Sequence, residues 1–228
     1  MKARSAVLFD IGGPIDLERA GEAQADAAIR AVVAERTGST VSDAAYDAAF
    51  GQAVRNFAPN AYQAILWTLL GQGAAEAWPA VTGLLSRPLL ELRPGIAGLL
   101  ADLAGRGIPL GLAANQPASV LKLLADAGIA GYFTGLDVSG TTGLRKPDPR
   151  VFLQAAASLG VAPEDCIMVG DRIDNDIAPT RTLGLATVLL RGGRHADQQP
   201  RSWLEVPDAE VRDVPGLAAT LYRLLQIV

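Results

Sequence analysis

The chain has 228 residues, a formal net charge of −4, a mean hydropathy of +0.23 and one cysteine. Its length suits one sizeable domain, or a domain with a smaller lobe, and its mild acidity argues against nucleic acid as a main partner. No apolar segment approaches membrane-spanning length, and a single cysteine excludes an internal disulfide framework, which points to a reducing, cytoplasmic setting. The charged residues 1–4 lead into too few apolar residues before Asp10 for a secretory leader.

Ser5 to Phe9 is a short, continuous apolar run and reads as a buried strand of a parallel sheet. It ends at Asp10, with Gly12, Gly13 and Pro14 turning the chain. From Leu17 to Glu35 the residues are good helix formers with apolar positions at helical spacing. Ser42 and Asp43 can cap a second helix, Pro59-Asn60 starts a third, and a fourth spans Ala74 to Ser86 with Pro79 as an interruption. Tyr62 and Trp67 read as core of this helical block, with one of the two facing a substrate as the alternative, and nothing from 17 to 88 reads as a strand.

An alternating pattern resumes at Leu92. Helices are expected at 95–106, 117–127, 149–159, 174–183 and 215–226. Strands are expected at 108–113, 132–133, 136–138, 166–169 and 185–190, with 191–213 as loop. Strand–helix alternation with short connections predicts an α/β fold: a Rossmann-like parallel sheet with helices on both faces. The expected division is a core of 1–16 and 92–228 with an all-helical insert of 17–91.

Asp10, Asn115, the segment after Val138 and Asp171 all follow strands, and in a parallel sheet they share one edge, where open α/β sheets hold ligands. A carboxylate ending a buried strand is costly unless compensated, so Asp10 sits where a nucleophile or metal ligand would. Asp171, Asp174 and Asp176 follow the Cys166–Val169 strand closely and repel one another unless a cation lies among them. Oxygen-only ligands there suit Mg²⁺. Asp171 reads as the ligand and Asp174 as a helix-dipole residue; Asp176 reads as support, orienting Asp171, a lysine or a metal-bound water. Two prolines fix the backbone around Lys146, which can neutralise a nucleophile and a phosphate together. Arg145 and the lone histidine, His195, read as exposed, and Cys166 as a small buried hydrophobe.

Lys146-Pro147-Asp148-Pro149, followed by Val169-Gly170-Asp171 with Asn175-Asp176, resembles the third and fourth motifs of the haloacid dehalogenase superfamily, mostly phosphatases. The resemblance implies a Rossmann-like core with a helical cap domain between the first and second motifs. It also implies Asp10 as nucleophile, passing through an aspartyl-phosphate. Mg²⁺ would be held by Asp10, the backbone carbonyl of Gly12 and Asp171, with Lys146 stabilising Asp10 and the transferring phosphoryl group.

Two positions depart from the family's phosphatases. Gly12 stands where a second aspartate usually protonates the leaving oxygen, and Ala114 stands where Ser or Thr bonds the phosphate, leaving Asn115 and backbone N–H groups for that work. The expected function is a Mg²⁺-dependent phosphatase of small phosphorylated metabolites. A metal-free haloacid dehalogenase and a catalytically weakened phosphate-ester binder are the alternatives.

Overall fold

The structure, a computed structural model, describes residues 3–86 and 90–227. The chain divides into two compact units, Met1–Leu17 with Leu90–Val228, and Glu18–Leu89. The first unit begins with β1 (Ala6–Phe9). The second holds four helices: α1 (Arg19–Thr37), α2 (Asp43–Arg55), α3 (Ala61–Leu70) and α4 (Ala74–Gly83). No strand occurs among the described residues of that stretch; residues 87 and 88 lie outside them.

Two helix starts of the second unit follow side-chain chemistry. The Ser42 hydroxyl accepts from the Ala45 N–H at the head of α2, and Asn60 does the same for Gln63 at α3, each satisfying a donor the helix itself cannot. Pro79 does not interrupt α4, as the sequence suggested, but lies inside it. Pro79 and Ala75, whose carbonyl loses its donor, are both exposed, so water can take that bond. Trp67 also departs from expectation: it is 56% exposed, while Ile65 and Leu66 carry α3 into the helical core.

The first unit continues with α5 (Ile96–Gly105), β2 (Leu110–Ala114), α6 (Val120–Asp126), β3 (Gly135–Val138), α7 (Ser139–Thr142), α8 (Arg150–Ser158) and β4 (Cys166–Gly170). It ends with α9 (Ala178–Thr182), β5 (Ala186–Leu190), β6 (Ala209–Val211) and α10 (Val214–Leu225). The described strands form a six-stranded, wholly parallel sheet in the order β3-β2-β1-β4-β5-β6. The α/β, Rossmann-like expectation is met. The stretch 191–213 was expected to be all loop, yet it contributes the edge strand β6. Ala-Glu-Val is too short to show a strand period, and its pairing with Val188–Leu190 comes only from tertiary contact.

β1 lies between β2 and β4, so the strand order reverses beside it. Successive side chains of a strand point to opposite faces. Val7 and Phe9 therefore pack with α5, α6 and α10, whereas Ala6 and Leu8 pack with α8. Phe9 is fully buried and meets Phe133 edge-on, ring centroids 6.5 Å apart. Because Phe9 immediately precedes Asp10, this packing also fixes where the carboxylate leaves the sheet. Phe9→Ala is expected to lower the unfolding free energy by about 3–5 kcal/mol, read as a reduced midpoint in urea denaturation at unchanged slope.

Candidate active site

Phe9 pairs with Val169 across β1 and β4, and the Asp10 N–H continues the ladder to the Val169 carbonyl at 2.9 Å. That register brings Asp10 beside the residues that follow β4. Asp10, Asp171 and Asp176 converge there, one carboxylate oxygen from each lying within 4.8 Å of the others, and all three residues are buried.

Lys146 arrives from the loop after α7. Its ammonium lies 2.8 Å from Asp10 Oδ2 and 2.7 Å from Asp176 Oδ1, with its side chain 1% exposed. Burial, the largest influence, pushes the lysine down, but the two carboxylates outweigh it and hold the ammonium above its ordinary value. Asp176 is pushed up to about 6, first by burial and further by the Asp10 charge, with Lys146 opposing.

The main chain of Lys146 is clamped from β2. Asn115 Nδ2 donates to the Lys146 carbonyl at 3.0 Å, and the Lys146 N–H donates to Asn115 Oδ1 at 2.8 Å. The strand end that was expected to serve phosphate thus also holds the lysine in place.

Two glycines let the acidic groups approach. Gly13 adopts φ +80, and a Cβ there would lie 2.6 Å from the Asp171 Cβ. A Cβ on Gly170 would lie 2.4 Å from the Asp176 Cβ. Asp176 Oδ2 accepts from the Arg172 N–H at 3.0 Å, and Oδ1 is taken by Lys146, so both its oxygens are committed to structure. Asp10 Oδ1 accepts from the Ile11 N–H at 2.8 Å, which orients the carboxylate on its own backbone.

Asp174 does not cap a regular helix. Residues Ile173–Ile177 form a π-helical turn, and Asp174 pairs with Arg172, 2.5 Å between Nη2 and Oδ2. Asp16 also stays outside the cluster, its Oδ1 accepting from the Glu91 N–H at 2.8 Å. Arg191 is engaged with Glu210 and with the carbonyls of Ala196 and Gln198. Arg145 is exposed and Cys166 fully buried, its thiol pushed up to about 12 chiefly by burial, which rules it out as a neutral-pH nucleophile.

His195 is partly buried rather than exposed, in the turn after β5. Two residues went unnoticed in the sequence: Arg172, as the link between Asp174 and Asp176, and Gln198, fully buried against the same turn. A glutamine in a polar loop carries no pattern that would single it out.

Three carboxylates share a buried volume with the Lys146 ammonium, and the donor set is all oxygen. That arrangement fits a hard divalent cation such as Mg²⁺.

A family model described as haloacid dehalogenase-like hydrolase matches residues 5–184. Among curated relatives, a glyceraldehyde 3-phosphate phosphatase of Methanopyrus kandleri is 36% identical over 127 residues, covering 54% of this chain and 53% of its own. A phosphoserine phosphatase of Thermus thermophilus is 38% identical over 119 residues, 51% of this chain and 48% of its own. The chain thus spans about half the length of the curated relatives it matches. A crystal structure of a phosphatase of the same superfamily from Thermococcus onnurineus superposes with a TM-score of 0.63 at 22% identity, covering 97% of each chain, and attests the fold. With a parallel sheet that gathers its polar residues at one edge, the chain is an α/β protein of the doubly wound class. It belongs to the haloacid dehalogenase-like hydrolases.

Gly13→Ala forces a side chain into a left-handed conformation and against Asp171; we expect a loss of about 1–3 kcal/mol of stability, read by chemical denaturation. Burial holds the His195 imidazole down at about 4, with Arg172 adding to the effect and Asp174 opposing it. The folded chain therefore refuses a proton that the unfolded chain accepts near pH 6.5. The resulting contribution to stability is complete above pH 6.5 and is lost as pH falls toward 4. His195→Gln should flatten that part of the stability–pH curve relative to the parent chain, measured by denaturation midpoints from pH 7 to 4.

Proposed function

We propose that the chain is a Mg²⁺-dependent phosphatase acting on small phosphate monoesters, with Asp10 as nucleophile. The carrying observation is the buried contact of Lys146 with Asp10 at 2.8 Å, set among carboxylates that call for a divalent cation. Phosphatase activity in the curated relatives supports the same reading.

Asp10 Oδ attacks phosphorus, the ester P–O bond breaks, and the alcohol oxygen departs with the bonding pair. Water then attacks the phosphorus of the aspartyl-phosphate, releasing inorganic phosphate and restoring the Asp10 carboxylate. Lys146 holds the attacking carboxylate and lies where it can neutralise charge on the phosphoryl oxygens. Asn115 fixes the Lys146 main chain, and an amide nitrogen carries two protons, so one remains to serve phosphate. The ligands for Mg²⁺ would be Asp10, the Gly12 carbonyl and Asp171, with Asp176 holding Lys146 in a supporting role. When bound, the ion supplies charge stabilisation to the phosphoryl oxygens. Residues 17–91 would serve as the cap domain that selects the ester.

Gly12 has no side chain to protonate the departing alcohol. Such a proton is worth roughly 10²–10⁴-fold, so esters of acidic alcohols should be strongly preferred. Gly12 together with Ala114 also favours a second reading, a phosphate-ester binder with little turnover.

The test is a metal-free preparation assayed on an aryl and an alkyl phosphate. It is run with Mg²⁺, with EDTA, and with Asp10→Asn. EDTA and the substitution should each lower turnover by at least about 10³-fold, and the aryl ester should exceed the alkyl ester by about 10²-fold or more. Equal rates in all three conditions would remove the proposal. Tight ester binding without turnover would establish the binder, and metal-independent chloride release from 2-chloropropionate would establish a dehalogenase.

A further inference from the structure

The loop after β5 contributes a side chain to the turn between Asp171 and Asp176. Gln198 is fully buried. Its Oε1 accepts from the Ile173 N–H at 2.8 Å, and its Nε2 donates to Asp174 Oδ1 at 3.2 Å. Its own main chain is held in turn, since its N–H bonds the His195 carbonyl and its carbonyl accepts from Arg191. Asp174 grips Arg172, and the Arg172 N–H bonds Asp176 Oδ2. Asp176 then holds Lys146, which holds Asp10. A continuous line of hydrogen bonds and ion pairs runs from Gln198 to the candidate nucleophile.

We infer that Gln198 is a positioning residue for cation binding: it locks the Asp171–Asp176 turn in the conformation that presents Asp171 toward Asp10. Only an amide meets both contacts of residue 198. One end must accept from a buried backbone N–H and the other must donate to a carboxylate. A carboxylate in place of the amide would set two negative charges together at the second contact, and the repulsion would pull the side chain away from the first. An apolar replacement would leave the Ile173 N–H buried without this acceptor. Residues that orient metal ligands from behind typically govern affinity by 10–100-fold.

The inference rests on the Mg²⁺ reading above, and the experiment separates the two. Mg²⁺ alone is titrated calorimetrically into the metal-free full chain, the Gln198→Glu variant, and a double variant, Gln198→Glu with Asp174→Asn. The double variant moves the amide to the opposite side of the same contact. Backbone hydrogen exchange at Ile173 is followed in all three without metal.

Gln198→Glu should weaken Mg²⁺ binding by about 10–100-fold and speed Ile173 exchange. The double variant should recover most of both, which a general loss of fold would not allow. Unchanged affinity in Gln198→Glu, or no recovery in the double variant, would overturn the role of Gln198. A parent chain that binds no Mg²⁺ would instead overturn the metal reading. In that case the Ile173 exchange rates would still decide whether Gln198 locks the turn.

Discussion

Everything at the candidate site depends on one buried ammonium. Lys146 sits between Asp10 and Asp176 with almost no contact with water. An isolated charge there would cost several kcal/mol, and so would either carboxylate alone. The contacts are short enough for the lysine to stay protonated despite its burial. The arrangement is self-consistent only as a set: the lysine stabilises the carboxylates, and they keep it charged. It also leaves negative charge in excess, because Asp171 joins the same cluster.

Supporting that set requires precision that hydrophobic burial alone does not supply. The parallel ladder of β1 and β4 brings Asp10 beside the β4 turn. Asn115 at the end of β2 holds the Lys146 main chain by both its amide groups. Gly13 and Gly170 remove the side-chain atoms that would otherwise hold Asp171 and Asp176 away. These contributions come from the ends of β1, β2 and β4, which the strand order makes neighbours. The core beneath is ordinary: alternate residues of β1 pack on opposite faces against different helices.

The departures from the usual phosphatase pattern fall in one part of the chemistry. The residues that would attack the phosphoryl group and balance its charge are present and in contact. The side chain that would protonate the leaving group is absent at residue 12, and a hydroxyl that would bind phosphate is absent at residue 114. The groups proposed for bond formation are in contact, and a usual aid to bond breaking has no side chain to supply it. Family membership is shown for residues 5–184 and agrees with the observed fold.

The sequence by itself determined the alternating α/β pattern, the all-helical insert and the strand-end positions of Asp10, Asn115 and Asp171. These follow from local signals: short apolar runs, helical spacing, and glycine and proline at turns. It also singled out Lys146, through the prolines beside it. Only the tertiary structure decided that β6 joins the sheet, that Trp67 is exposed and that His195 is partly buried. It alone showed that Asp174 serves Arg172, and that Gln198 reaches the acidic turn from the loop after β5. The physical reason is common to all of these. A three-residue strand, an aromatic face and an amide in a polar loop take their roles from partners distant in sequence, and no period or spacing in the chain records which partner folding will bring near.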